Sequence, residues 1–296
     1  MTPDEAIAAA RALPCWTAPG AAVALEGGIT NHNIKLTDQG RDYVVRLGQD
    51  IPEHGILRWH ELSLSRAAAA AGLSPAVHYH APGALVIDFV ESAALTEADL
   101  HDPETLMDAT DLIARLHREM PRHAHGPILS FWVFHILRSY AHDLREAGSR
   151  HTPALAGLLE QADLLERAVG PVDLVLGHND LLPANILRGA GRLWVIDWEY
   201  GGWGSPLFDL GGLASNCDLD QPAEEAMLTR YYGVPPGDDL WRSYTAMKCA
   251  SLLRETMWSM VSEQSSAIDF DYAAYTDKNL SRFRDALAAF TDKETP

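Results

Sequence analysis

The chain has 296 residues, 47% of them hydrophobic and 22% charged, with a formal net charge of −18. This is the composition of a folded globular protein with a real core, and its acidity excludes nucleic acid or an anionic membrane surface as the main partner, since both need basic patches. No run of about eighteen apolar residues and no leader-like N-terminus occur, and the three scattered cysteines (Cys15, Cys217, Cys249) form neither a disulfide framework nor a zinc site, so no membrane insertion and a reducing cytoplasm are expected.

In chain order, Thr2 to Ala12 reads as a short helix, with Asp4 and Glu5 in its first turn and Pro14 ending it. Ala22–Leu25 and Asn33–Leu36 read as strands on either side of Glu26-Gly27-Gly28-Ile29-Thr30-Asn31. A glycine pair between strands lets the backbone approach a phosphate closely. Tyr43–Leu47 is the next strand, after a Gln39-Gly40 turn, and it carries Arg46, a permanently charged fork that suits phosphate. Ile56–Ala71 is a helix closed by Gly72, with Glu61 near its start as the candidate partner of Arg46. Val77–His80 and Ala84–Val90 form a hairpin around Pro82-Gly83. At Glu91-Ser92 the strands are expected to stop and helices to begin, which sets a domain boundary at residue 90. Helices are expected next over Pro103–Met120, Ser130–Ala147 and Pro153–Ala168.

The most informative stretch runs from Val172 to Tyr200. A short strand, Leu174–Leu176, is stopped by Gly177 and followed by His178-Asn179-Asp180 and then Asn185. Ile186–Arg188 and Arg192–Ile196 flank Gly189-Ala190-Gly191 as a β-hairpin, with Asn185 and Asp197 near its two open ends. Cross-strand partners have Cβ atoms roughly 4.5–5.5 Å apart, so both side chains are expected to reach one ion. An amide oxygen and a carboxylate are hard ligands suited to Mg²⁺. Asp180, on the preceding loop, is placed to accept a proton from a hydroxyl that attacks phosphate. An Asp base, an Asn on the metal and a second metal-binding Asp after a short hairpin is the grammar of kinase phosphoryl transfer.

The run H-N-D-L-L-P-A-N-I-L followed by I-D-W-E-Y resembles the choline/ethanolamine kinases, within the wider group of aminoglycoside-phosphotransferase-like small-molecule kinases. The resemblance extends from about Leu25 to Phe283. It implies an α+β, two-lobed, protein-kinase-like fold: a small antiparallel-sheet N-lobe that binds nucleotide (residues 1–90) and a larger helical C-lobe that is catalytic and binds the acceptor (residues 91–296). It implies ATP and Mg²⁺ as cofactors, with Asp180, Asn185 and Asp197 catalytic and the last two on metal. Gly28, Thr30 and Asn31 match the family's nucleotide-covering loop, Arg46 and Glu61 its phosphate-holding pair, and the backbone of Asp88 and Val90 its adenine-binding hinge. Asp209 is expected to brace the catalytic loop, and His117 to be a structural hydrogen bonder.

Further helices read over Gln221–Tyr232, Asp239–Val261 and Asp271–Phe290. Within them, Trp258 and Tyr275 match the family's cation pocket, and Glu255 lies one helical turn before Trp258. Glu199 matches the family's I-D-x-E-Y, beside metal or substrate. A quaternary ammonium cannot donate N–H bonds, so a site for it uses aromatic faces. The expected activity is phosphorylation of the hydroxyl of a small cationic amino alcohol, foremost choline. Ethanolamine, thiamine or an aminoglycoside is the alternative acceptor, and a nucleotide-binding protein without turnover is an alternative of another class.

Overall fold

Strand alternation and one amphipathic helix account for the N-terminal part. The computed structural model describes residues 1–25, 31–266, 268 and 270–294; Gly28 and Thr30 lie outside them. Helix α1 (Pro3–Arg11) starts on a capping box in which Thr2 and Glu5 satisfy each other's backbone N–H. Five strands, β1 (Pro19–Leu25), β2 (His32–Asp38), β3 (Arg41–Leu47), β4 (Val77–Ala81) and β5 (Ala84–Asp88), form an antiparallel sheet in the order β1-β2-β3-β5-β4. Because side chains alternate across a strand, Ile34, Leu36, Tyr43, Val45 and Leu47 fall on one face and pack with Ala6 and Ala10 of α1. Val44 and Arg46 of β3 then point to the opposite face. That places Arg46 on a central strand, turned toward the interior of the molecule.

Helix α2 (Arg58–Ala70) covers that opposite face and is stopped by Gly72 in the left-handed conformation. Its apolar residues Leu64, Ala67 and Ala68 join the large core of the helical part rather than the small core under α1. The strand-to-helix change near residue 90 is therefore not a break in packing.

The strands do not stop there. Ser92–Ala94 forms β6, which pairs antiparallel with β8 (Ile186–Gly189) and so extends the hairpin that β8 makes with β9 (Arg192–Val195) into three strands. Ser-Ala-Ala has little intrinsic preference for a strand, and the pairing is imposed by the tertiary fold. A second small pair joins β7 (Val175–Gly177) to β10 (Gly202–Gly204). Around these lie α3 (Glu97–Leu100), α4 (Pro103–His123), α5 (Val133–Glu146), α6 (Leu155–Val169), α7 (Pro206–Asn216), α8 (Gln221–Tyr232), α9 (Asp238–Ser265) and α10 (Tyr272–Glu294). The long α9 runs through the middle of the helical part, packed against α5, α6, α7 and α10. No helix among the described residues is long and apolar enough to cross a membrane.

Candidate active site

The loop after β7 is held from beneath by one buried carboxylate. Asp209, on the first turn of α7, accepts from the backbone N–H of His178 (2.8 Å) and of Asn179 (2.6 Å), and bonds His117 Nε2 (2.8 Å). Burial opposes its ionisation, but the bond to His117 and the charges and donors around it hold its pKa below the ordinary value. A Cβ on Gly177 would lie 2.9 Å from the Asp209 carboxylate, so the close approach requires glycine. His117, expected to be a structural hydrogen bonder, in turn reaches the Tyr231 hydroxyl at 2.7 Å.

The loop's own histidine fixes the backbone at Asp180. His178 Nδ1 faces the Asp180 N–H (3.2 Å) and Nε2 faces the Ile196 carbonyl (2.9 Å). Those partners require an acceptor at Nδ1 and a donor at Nε2, a neutral ring in one tautomer, and burial lowers the pKa in the same direction. His178 thus ties the loop that carries Asp180 to the end of β9. Asn179 adopts φ 63° and Asp197 φ 70°. Left-handed backbone at non-glycine residues is tolerated best by Asn and Asp, and it turns the Asp197 carboxylate toward the cleft.

The hairpin differs by one residue from the symmetric pairing expected of it. Its turn is the two-residue Ala190-Gly191, with φ 53° and 72°, rather than a three-residue turn. The register is therefore Ile186↔Val195, and Ile196 N–H bonds the Asn185 carbonyl at 3.0 Å. Asn185 stands opposite Ile196, and Asp197 is one step beyond. Asn185 donates from Nδ2 to the Asp180 carbonyl (2.9 Å) and carboxylate (3.4 Å). That orientation leaves its oxygen as the side-chain atom able to serve a cation, with the Asp197 carboxylate as the second hard donor, and the pair fits a Mg²⁺ that takes its remaining ligands from water and phosphate.

Asp180, Asn185 and Asp197 line a cleft of about 420 Å³. Along the side formed by the five-stranded sheet lie Asn31, Arg46, Asp88 and Val90. The Asp88 N–H is already given to the Ala76 carbonyl (2.9 Å), so it is not available to a ligand. Arg46 is buried, and its Nη2 meets Asp197 at 2.6 Å, Glu61 at 3.2 Å and Glu199 at 3.7 Å. Burial alone would favour loss of its proton, yet Asp197, Glu61 and Glu199 together raise its pKa. Asn31 donates to Glu199 at 3.1 Å.

A residue that sequence reasoning passed over completes this group: Arg58 bonds Glu61 (2.7 Å) and Glu199 (3.1 Å). Its signal was available. Arg58 and Glu61 are three apart on α2 and share a face, and a cation at a helix N-terminus opposes the macrodipole unless a partner holds it.

At the other end of the cleft, α9 supplies Arg254, Glu255 and Trp258, and α10 supplies Tyr275. The Tyr275 hydroxyl donates to Glu255 (2.7 Å), and the Trp258 indole N–H donates to the Tyr200 hydroxyl (2.9 Å). Trp258 is only 4% exposed, its ring centroid 5.3 Å from His54 and 6.5 Å from Tyr275. Arg254 was also missed, because beside Glu255 in sequence it reads as a solvated pair. It is buried, its guanidinium 4.3 Å over the Tyr200 ring and its Nη1 3.9 Å from the Asp180 carboxylate.

Burial raises the Asp180 pKa to about 8, Arg254 opposing and Glu255, Asp197 and Glu199 reinforcing. The carboxylate keeps 20% of its surface, so contact with water in the cleft reduces the energetic weight of that shift. Glu199 is likewise raised by burial and by Asp197, against the pull of Arg46 and Arg58. A carboxylate raised by its surroundings is a better proton acceptor, and incoming cations would return it to the ionised form.

Comparison with known proteins agrees with this architecture. Residues 21–246 match the model of the phosphotransferase enzyme family. Protein LicA of Haemophilus influenzae is 27% identical over 212 residues, a match covering 69% of this chain and 61% of that protein. Ethanolamine kinase 2 of Mus musculus is 24% identical over 277 residues, covering 84% of this chain and 71% of the kinase. Among solved structures, a choline/ethanolamine kinase family protein from Mesorhizobium loti superposes with a TM-score of 0.77 at 24% identity, covering 97% of this chain and 98% of that one. The likeness shows the same protein-kinase-like fold, with the sheet-bearing part at the N-terminus and the helical part after it. The chain belongs to the phosphotransferase enzyme family.

Proposed function

We propose that the chain is an ATP- and Mg²⁺-dependent kinase that phosphorylates the hydroxyl of a small cationic amino alcohol, with choline as the leading acceptor. The observation that carries this reading is that Trp258, Tyr275 and Glu255 open onto the same cleft as Asp180, Asn185 and Asp197. An aromatic wall with one carboxylate suits a small organic cation, whereas an aminoglycoside calls for many carboxylates. The similarity to an ethanolamine kinase and to a choline/ethanolamine kinase family protein supports the same substrate class.

In this reading residues 1–90 bind the nucleotide, through the carbonyl of Asp88 and the backbone of Val90, through Gly28, Thr30 and Asn31, and through Arg46 supported by Glu61. Residues 91–296 carry the catalytic and acceptor groups. Bound Mg²⁺, held by Asn185 and Asp197, would neutralise charge on the transferring phosphoryl group. Asp180 orients the acceptor hydroxyl and takes its proton. Arg46 turns from Asp197 to phosphate, and Arg58 remains to balance Glu61 and Glu199. Trp258 and Tyr275 exclude water from the acceptor's cationic end.

The deciding experiment measures ADP formed from Mg-ATP with choline, ethanolamine, thiamine and an aminoglycoside in turn. Turnover with choline or ethanolamine at least about tenfold above the others in kcat/KM is expected. Turnover with the aminoglycoside alone would reject the amino-alcohol assignment, and Mg-ATP stabilisation without ADP from any acceptor would reject the kinase assignment.

A further inference from the structure

We infer that Arg254 sets the charge the acceptor must carry, so that the pocket selects an amino alcohol with a single ammonium group; this rests on the proposed amino-alcohol acceptor. Arg254 lies on α9 beside Glu255 and one turn before Trp258. Its Nη1 bonds Glu255 Oε2 at 3.1 Å and stands 3.9 Å from Asp180 Oδ1, while the other Glu255 oxygen accepts from Tyr275 at 2.7 Å. The two carboxylates at the acceptor end thus share one internal cation. The other acids near the reacting centre, Asp197 and Glu199, are held by Arg46.

Packing alone gives no reason for an arginine at this position. It is 4% exposed, and its Nε and Nη2 make no hydrogen bond among the described residues, an arrangement that costs stability. A methionine would fill similar space without that cost. Its contribution is electrostatic. An entering ammonium shares Glu255 with Arg254, and the Tyr200 ring, which would otherwise offer a face to a cation, already has the guanidinium over it at 4.3 Å. A second substrate ammonium would meet the charge of Arg254, and among the described residues lining that end of the cleft the acids are Asp180 and Glu255, which Arg254 already faces. Discrimination by an unfavourable charge pair of this kind is a general route to specificity.

The test uses isopropanolamine, with one ammonium, and diaminoisopropanol, the same carbon chain with a second. Each competes against turnover of choline or ethanolamine, whichever the protein consumes faster. Wild type should bind isopropanolamine more tightly by about tenfold or more. Arg254→Met should abolish or invert that ratio, and Arg254→Lys, which keeps the charge, should largely preserve it. A purely structural role would weaken both competitors together and leave the ratio unchanged. Equal affinities in wild type, or an unchanged ratio in folded Arg254→Met, would overturn the inference. The wild-type ratio needs no variant, so it decides the matter even if Arg254→Met does not fold. A wild type that turns over no amino alcohol would sink the acceptor reading and this inference together. Equal affinities in a wild type active on choline would sink this inference alone.

Discussion

The two ends of the cleft are both enclosed and both charged, yet they are assembled in opposite ways. At the end proposed for the nucleotide, Arg46 and Arg58 meet Glu61, Asp197 and Glu199, residues drawn from β3, α2 and the segment after β9. Each group there has at least one partner remote in sequence, although Arg58 and Glu61 also pair along α2. At the end proposed for the acceptor, Arg254, Glu255 and Trp258 come from about one turn of a single helix, with Tyr275 and Tyr200 beside them. The first end depends on the whole fold to keep its charges paired. The second presents neighbouring side chains from one helix. In the proposed reading, chemistry common to phosphotransferases belongs at the first end and the choice of acceptor at the second.

The largest expected effect comes from the groups between the two ends. Asp180→Ala and Asp197→Ala should each lower ATP consumption by at least about a thousandfold while the far-UV spectrum and cooperative melting remain. Comparable turnover in either folded variant would remove the catalytic assignment.

Arg46→Met should break the nucleotide end specifically. It leaves three carboxylates near one another with only Arg58 to balance them, and should cost on the order of 3 kcal/mol of stability in a urea titration of the ligand-free protein. An undiminished urea midpoint would show that these charges are not interlocked.

A smaller effect, of opposite sign, is expected at Asp180. Its folded-state pKa lies above its ordinary one, so the folded state binds the proton more tightly and loses stability as pH rises from 3.8 to about 8. Asp180→Asn removes that penalty. The variant should be inactive yet more stable than wild type at neutral pH, by on the order of 1 kcal/mol after allowance for the opening to the cleft. The difference should fade as pH falls toward 3.8. A variant less stable than wild type across this range would contradict the strained, desolvated base.

Legibility in the sequence divides along the same line. The loop with Asp180 and the hairpin after it were legible because Asp180, Asn185 and Asp197 stand at short, fixed spacings on a strand-loop-hairpin pattern, and the three line one cleft. The long helices and the five-stranded sheet were legible from periodicity and turn residues. β6 was not, since Ser92-Ala93-Ala94 becomes a strand only by pairing with β8. The hairpin register was off by one because Gly189-Ala190-Gly191 accommodates either a two- or a three-residue turn, and only the backbone dihedrals decide. Arg58 and Arg254 were missed for a common reason: burial brings an arginine near a glutamate into the charge cluster of the cleft, and burial depends on distant elements. Gly28 and Thr30, expected at the nucleotide, lie outside the described residues.

The central claim is that the ends of the cleft serve different substrates, and Trp258→Ala tests it most directly. Steady-state kinetics would give kcat, the KM for ATP and the KM for choline in wild type and variant. Loss of one aromatic face from a desolvated cation site is worth roughly 1–2 kcal/mol, so the KM for choline should rise about tenfold. The KM for ATP should change by less than about twofold, because the groups proposed to bind ATP lie at the other end. An unchanged KM for choline, or an equal rise in both constants, would contradict the account.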